Sequence, residues 1–302
     1  MEPAPGGREV RETRWCVVGT ADRVRGVTAD AATDGPILAR LEGYYDLAPR
    51  GNADTEEHGP LTLFVSRGGY PYYARPRLGL GDDVSAAHIT AADVEAVLAR
   101  QRELGLPRAL EWVDEVTPTL LAAARSAGMQ VEECPLLVLD GEPAARPVDA
   151  EVRLVEADDP DLGRVHSCIG VGFATGGTAL GKTGVAERDA DLAAHPDGAD
   201  RAREASASGR TFLVGAFDAV VGAVGGGSYN PRGDVAEIVG VAMLPAYRRR
   251  GYAGAVTSAL ARHALDHGVT TVFCSAQSAD VARVYEAVGF RRVGTACIAE
   301  AD

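Results

Sequence analysis

The sequence predicts an α/β (α+β) protein, a β-sheet flanked by helices and built as two units of like pattern. Three observations carry this. Segments of strand period and helix period alternate along both halves of the chain. The stretch 239–254, VGVAMLPAYRRRGYAG, runs from an apolar strand through a proline break and an Arg/Gly turn directly into a helix. The end of the first half, RALEWVDEVTPTLLAAARSAGMQVEECPLLVL, matches in kind the end of the second, TTVFCSAQSADVARVYEAVGFRRVGTACIAE. Both read as strand, helix, glycine turn and strand, which makes the chain a tandem.

Residues 1–12 read as a loose tail and 15–19, WCVVG, as a first strand. A short helical pattern over 37–48 carries Leu38, Leu41, Tyr44 and Tyr45. Segments 61–65 and 70–78 read as strands joined by a turn at Gly68 and Gly69. Thr90 and Asp93 have capping-box spacing and open a helix that reaches Leu104, with Val94, Val97 and Leu98 inward. A strand at 109–113, a helix at 118–127 and a strand at 131–139 end the first unit. The stretch 141–150, GEPAARPVDA, has no periodicity and reads as a linker, which divides the chain into 1–140, 141–150 and 151–302.

The second unit begins with a strand at 151–156 and a helix at 162–173. A polar helical segment over 185–206 is broken at His195 and Pro196. Strands at 211–217, 220–229 and 235–244 follow, then the helix after Gly251, a strand at 271–275, a helix at 280–288 and a last strand at 292–299.

A strand that opens a helix through an Arg/Gly turn is suited to holding phosphate. The first turn of a helix leaves backbone N–H groups without partners, and the helix dipole is positive there. Gly251 lets a phosphate approach the backbone, and Arg248, Arg249 and Arg250 add charge. Arg248-x-x-Gly251-x-Ala253 resembles the Arg/Gln-x-x-Gly-x-Gly/Ala signature of the GNAT superfamily of acyl-CoA-dependent N-acyltransferases. The resemblance covers the C-terminal half. It implies a mixed, mostly antiparallel sheet with two splayed strands that admit acyl-coenzyme A. It also implies acetyl-CoA as co-substrate and a small-molecule or peptide amine as acceptor. The coenzyme site it implies takes in Val241, Met243, Arg248, Arg249, Arg250, Gly251, Tyr252, Ala253 and Gly254. The first unit lacks these features: Ala124 stands where the second unit has Tyr285, and Asp82 and Asp83 would repel a pyrophosphate. That unit is expected to wall off the acceptor pocket or to form a homodimer face.

Tyr285 lies four residues before Gly289-Phe290 on a helix. Taken alone it reads as a packed aromatic; by resemblance it protonates the departing thiolate. The family often carries Asn seven residues earlier, where this chain has Ser278, a shorter hydrogen-bonding contact to the cofactor arm. Glu237 falls at the strand position that shares a face with Val239, Val241 and Met243, an odd place for a carboxylate. It reads either as an exposed strand end or as a group lining a cleft. By resemblance it is the base that removes the amine's proton, directly or through water. The Val241 amide is by resemblance the donor that polarises the thioester carbonyl, and Gly240 fits a bulge in the strand.

A competing signal is Gly176–Thr183, GGTALGKT, which satisfies GxxxxGK[ST] and would imply a nucleotide-binding loop. The run before it contains Gly170 and Gly172 and makes a poor strand, and a glycine at 184 would fall in the helix's first turn. An acyl-CoA-binding sensor without turnover and a mycothiol-synthase-like acetyltransferase are the other readings. The formal charge of −13 argues against nucleic-acid and anionic membrane surfaces. The N-terminus lacks a signal-peptide pattern and no stretch is long and apolar enough to span a membrane. Five scattered cysteines without a CxxC pair fit reduced thiols in the cytoplasm. The six histidines show no metal spacing: His263 and His267 share a helix face without a further ligand, so no metal is expected.

Overall fold

The computed structural model describes residues 31–68, 71–78, 88–144 and 147–301. The expected tail and first strand, Gly69 and Tyr70, and Asp82 and Asp83 lie outside the described residues. The first unit runs α1 (Ala31–Arg50), β1 (Ala53–His58), β2 (Leu61–Ser66), β3 (Arg75–Pro76), α2 (Ala91–Glu103), β4 (Ala109–Val113), α3 (Pro118–Ser126) and β5 (Gln130–Leu139). The second runs β6 (Glu151–Val155), α4 (Leu162–Ala174), α5 (Val185–Ala194), α6 (Asp200–Ala207), β7 (Phe212–Asp218), β8 (Gly222–Arg232), β9 (Val235–Met243), α7 (Tyr252–Asp266), β10 (Thr271–Ser275), α8 (Ala279–Glu286) and β11 (Phe290–Glu300).

Local chemistry explains most of these boundaries. The Thr90 amide donates to Asp93 at 2.8 Å while the Asp93 amide donates back to the Thr90 hydroxyl at 3.4 Å, which closes the capping box of α2. Pro196 follows the C-cap His195 of α5 and separates it from α6. Two readings are corrected. Of the strand expected over 70–78, the described residues pair with β2 at Arg75 and Pro76 and bridge to Leu110 at Ala74, and the prolines at 71 and 76 have no N–H to extend a ladder. The charged segment ADTEEH, not expected as a strand, is β1, which pairs with β2 through a turn containing Gly59 (φ 58°). Edge strands of this kind tolerate polar residues because one face is wet.

Eight strands form one sheet in the order β4-β11-β5-β10-β9-β8-β7-β6, and β1-β2-β3 form a smaller one. Every pairing within the large sheet is antiparallel except β9 with β10. The two units share the end pattern helix, strand, helix, strand, and both turns into the last strand use a left-handed glycine, Gly128 (φ 83°) and Gly289 (φ 113°). Their last strands are exchanged. β5 of the first unit lies between β10 and β11, and β11 of the second lies between β5 and β4. The antiparallel β5–β11 pair, running from Phe290↔Leu139 to Glu300↔Gln130, is therefore the seam of the molecule.

The linker is part of this construction. The Ala144 amide donates to Val288 O at 2.8 Å, Arg262 donates to Pro143 O at 3.0 Å, and Tyr252 donates to Asp149 at 2.6 Å. The helices α7 and α8 cover one face of the large sheet, with Tyr252, Val256, Leu260 and Tyr285 packed on Ala236, Ile238, Val272 and Cys274. On the other face α1 sets Leu38, Leu41, Tyr44 and Tyr45 against Val235 and Phe273, and α4 packs on β8 and β9. Close approach of α4 depends on Gly226, where a Cβ would stand 2.6 Å from Val165. Among the described residues, Cys134, Cys168, Cys274 and Cys297 are free and buried.

Candidate active site

The site is organised by β9. Its parallel ladder with β10 holds three pairs, Thr271↔Val235, Val272↔Ala236 and Phe273↔Glu237. Past Phe273 the partner of β10 is β5, through Cys274↔Leu137 and Ser275↔Leu136. The two parallel strands therefore part just beyond Glu237, and that residue stands at the vertex of the opening.

One turn of strand further on, β9 is bulged. Gly226 pairs with Ala242 and Ser228 with Val239, so Gly240 and Val241 together face Gly227. Gly240 takes φ 69°, a conformation that a side chain would strain. The bulge corrects the strand face read from simple alternation. Ala236 and Ile238 lie on the α7 side, and beyond the bulge Val241 and Met243 lie there as well. Glu237 points the other way, towards Tyr45 of α1. An extra residue in the strand moves every later side chain to the opposite face.

After β9 a single 3₁₀ turn at Pro245–Tyr247 leads into the loop before α7. Arg249 (φ 62°) and Gly251 (φ 82°) are both left-handed, with Arg250 between them. Alternating hands can turn successive N–H groups towards a common point, the geometry of an anion-binding nest. A non-glycine residue in this region costs on the order of 1–2 kcal/mol, so Arg249 stores strain in the loop. Gly251 caps α7 without a side-chain hydrogen bond, which leaves the first-turn amides uncapped. The side chains of Arg249 and Arg250 are exposed, and the Arg250 guanidinium lies 4.9 Å from the centre of the Tyr247 ring.

Several residues read as cofactor contacts have other occupations. Arg248 turns away from the nest. Its guanidinium donates to Gly176 O (2.7 Å), Gly172 O (2.8 Å), Ala179 O (3.2 Å) and the Thr175 hydroxyl (3.2 Å), and Nε reaches Met243 O (3.3 Å). Burial lowers its pKa from the ordinary arginine value. It fastens the loop between α4 and α5 to the Arg/Gly loop, helped by Gly181 N to Pro245 O and Ala246 N to Thr183 O. The Tyr252 side chain is buried and bonded to Asp149, so only its backbone faces the nest region. Ser278 caps α8, its hydroxyl accepting from Val281 N at 3.4 Å. Ala253 and Gly254 form the first turn of α7. The stretch Gly176–Thr183 follows the helix α4 instead of a strand and so lacks the strand–loop–helix setting of a nucleotide loop.

Glu237 lies on the α1 face of the sheet, and Tyr285 of α8 lies on the other, buried in the same cluster as Cys274. Desolvation by burial, together with the charge of Glu111, pushes the Glu237 carboxyl up to about 8, against the bond from Tyr45 and the charges of Arg75 and Arg232. Burial also raises the Tyr285 phenol far above its ordinary value, with further upward pushes from Cys274 and Glu237. The gap between this phenol and a thiol is thus wider than free tyrosine would give. Sequence reasoning missed the surroundings of Glu237 that come from the first unit. Tyr45 donates to Glu237 Oε1 at 3.1 Å, and Arg75 lies over the Tyr45 ring at 4.4 Å. The signal was there: Glu42, Tyr45 and Asp46 fall on the buried stripe of α1 with Leu38 and Leu41, and buried acids in an apolar stripe ask for partners.

Residues 185–290 match the acetyltransferase (GNAT) family. The match covers about a third of the chain, all of it within the second unit. No curated protein matches the chain. Among solved structures, a GCN5-related N-acetyltransferase from Kribbella flavida superposes with a TM-score of 0.64 at 16% identity, over 87% of this chain and 95% of its own. A functionally unknown conserved protein from Staphylococcus epidermidis gives 0.53 at 13% identity, over 85% and 96%. A GCN5-related N-acetyltransferase from Sphaerobacter thermophilus gives 0.51 at 13% identity, over 90% and 89%. At these identities the likeness is one of fold, and it extends over both units of this chain. Among the described residues no group of three or more His, Cys, Asp or Glu side chains could hold a metal ion, and no helix is long and apolar enough to cross a membrane.

Proposed function

We propose that the chain is an acyl-CoA-dependent N-acyltransferase that moves an acetyl group from acetyl-CoA to a primary amine by direct attack. The observation that carries this reading is the continuity of β9. Within one strand and the loop after it lie a carboxylate at the strand opening, a bulge that takes Gly240 and Val241 out of regular pairing, and an uncapped anion nest. A thioester tethered by its pyrophosphate at 249–254 would lie along that strand.

The roles follow from the chemistry of each group. The amides of the nest, with Arg249 and Arg250, hold the pyrophosphate. Glu237, with its raised pKa, takes a proton from the acceptor ammonium, directly or through water. The freed nitrogen lone pair forms a bond to the thioester carbonyl carbon, and the Val241 amide donates to the oxygen as charge builds there. The oxyanion then collapses and the C–S bond breaks, Tyr285 gives its proton to the thiolate, and the nitrogen releases its second proton to solvent, from which Tyr285 and Glu237 return to their starting states. Burial keeps the phenol protonated, the state a donor needs. Once Glu237 has accepted a proton its charge no longer raises the Tyr285 pKa, so base and acid work in sequence.

Calorimetric titration with acetyl-CoA, with magnesium ATP as control, tests the first step. One saturable acetyl-CoA site per chain is expected. No acetyl-CoA binding would end the proposal. Turnover is then sought with spermidine, tyramine, kanamycin and a dipeptide as acceptors. Tyr285→Phe should lower kcat by about 10²-fold with acetyl-CoA affinity unchanged; unaltered kcat would remove Tyr285 from the mechanism.

A further inference from the structure

We propose that Tyr45, on α1 of the first unit, is the positioning residue for Glu237, which makes the first unit a working part of the transferase site. This rests on the reading of Glu237 as the base.

The geometry points from the first unit inward in a chain of fixed contacts. Val113 N donates to Glu42 Oε2 at 2.7 Å. Arg75, only 3% exposed, donates to Glu111 at 2.5 Å and stands 3.6 Å from Glu42. Its guanidinium lies over the Tyr45 ring at 4.4 Å. The ring is held edge-on by Phe273, with centroids 5.4 Å apart and planes at 90°, and by Tyr44 at 5.9 Å. Phe273 is the ladder partner of Glu237 in the last pair before the strands part. The Tyr45 hydroxyl then donates to Glu237 Oε1 at 3.1 Å.

A buried Glu–Arg–Glu group is a weak device for stability, since apolar side chains of equal volume hold a core as well or better. What it does well is fix orientation. Here it fixes a tyrosine whose hydroxyl ends on one oxygen of the carboxylate. Oε1 is occupied as an acceptor, so proton uptake from the ammonium falls to Oε2, and the carboxyl cannot rotate freely. Burial and the charges of Glu237 and Glu111 hold the Tyr45 phenol neutral, so it remains a donor throughout.

Groups on every neighbouring element act on Glu237: Glu111 of β4 raises its pKa, while Tyr45 of α1, Arg75 of β3 and Arg232 at the end of β8 lower it. Tyr44 of α1 lies on the same face, Cys274 of β10 and Tyr285 of α8 feel its charge from the other face of the sheet, and each is held neutral by burial. Losing one hydrogen bond to the charged form should therefore raise the Glu237 pKa, by about one unit.

The test is a pH titration of the full chain carrying carboxyl-labelled glutamate, followed by carbon NMR, with Glu237→Gln assigning the signal. Tyr45→Phe should move the midpoint upward by about one unit. Tyr44→Phe, which removes a neighbouring hydroxyl bonded to Asn230 O, should leave it in place. If Tyr45→Phe does not fold, fluorotyrosine incorporated at position 45 keeps the shape, donates more strongly and should move the midpoint down. With acetyl-CoA and whichever of the four named acceptors turns over, Tyr45→Phe should lower kcat/KM about tenfold at pH 7, with the deficit closing above about pH 9. An unmoved midpoint overturns the pairing. A moved midpoint with an unchanged rate profile overturns the positioning role and leaves Glu237 in place. Full activity in Glu237→Gln fails the base reading itself, whatever Tyr45 does.

Discussion

Replacing Glu237 by glutamine should change how the stability of the fold depends on pH. Burial raises this carboxyl from an ordinary value of 4.5 to about 8. The native state then holds its proton more tightly than the unfolded state. Between these two values the folded chain carries the extra proton, so stability falls as pH rises through that window. Integrated from pH 5 to pH 9, the single group removes about 4 kcal/mol, an order-of-magnitude figure and a large part of the stability of an ordinary domain. Glutamine has the same shape and no charge to desolvate, so Glu237→Gln should lack this component. The assay is urea unfolding of both proteins at pH 5 and pH 9, comparing the loss in each. Other titrating groups contribute alike to both and cancel in the difference. The variant should lie close to the parent at pH 5 and be clearly more stable at pH 9. Parallel losses in the two proteins would show that Glu237 titrates normally, and the argument from its burial would fail.

Three further outcomes follow from other parts of the structure. Gly251→Ala forces a side chain into φ 82° and sets its Cβ 3.3 Å from Val148, so acetyl-CoA binding measured by calorimetry should weaken about tenfold while the thermal midpoint drops only slightly. Arg248→Ala should act on the loop it fastens: hydrogen exchange at 175–184 should quicken, and acceptor KM should rise more than the dissociation constant of acetyl-CoA. The fragment 141–302 lacks β5, which leaves β10 and β11 with an empty place between them. It should aggregate or remain unfolded by circular dichroism and recover when co-expressed with 1–140; an independently folded, soluble fragment would contradict the exchanged-strand account.

Much of the second unit was legible because its signals are local. The strand at 271–275 and the break between α5 and α6 each follow from neighbours in the chain, as does the Thr90–Asp93 cap in the first unit. The glycine bulge at 240 and the nest before α7 were also readable, since φ above zero and an uncapped helix start are properties of a few consecutive residues. The effects of the bulge were less so. Alternation assigned Glu237, Val239, Val241 and Met243 to one face, and one inserted residue sent Val241 and Met243 to the other.

The sequence by itself determined most of the elements, the Arg/Gly loop before α7 and the pair of candidate groups, Glu237 and Tyr285. Only the tertiary structure decided what surrounds that pair. Strand exchange at the β5–β11 seam, the placing of Tyr45 and Arg75 beside Glu237, and the turning of Arg248 onto the loop after α4 join residues far apart in the chain. The physical reason is that capping, turns and periodicity act over a few residues, whereas the burial of a charge and the choice of a strand's neighbour are settled when distant surfaces close on one another.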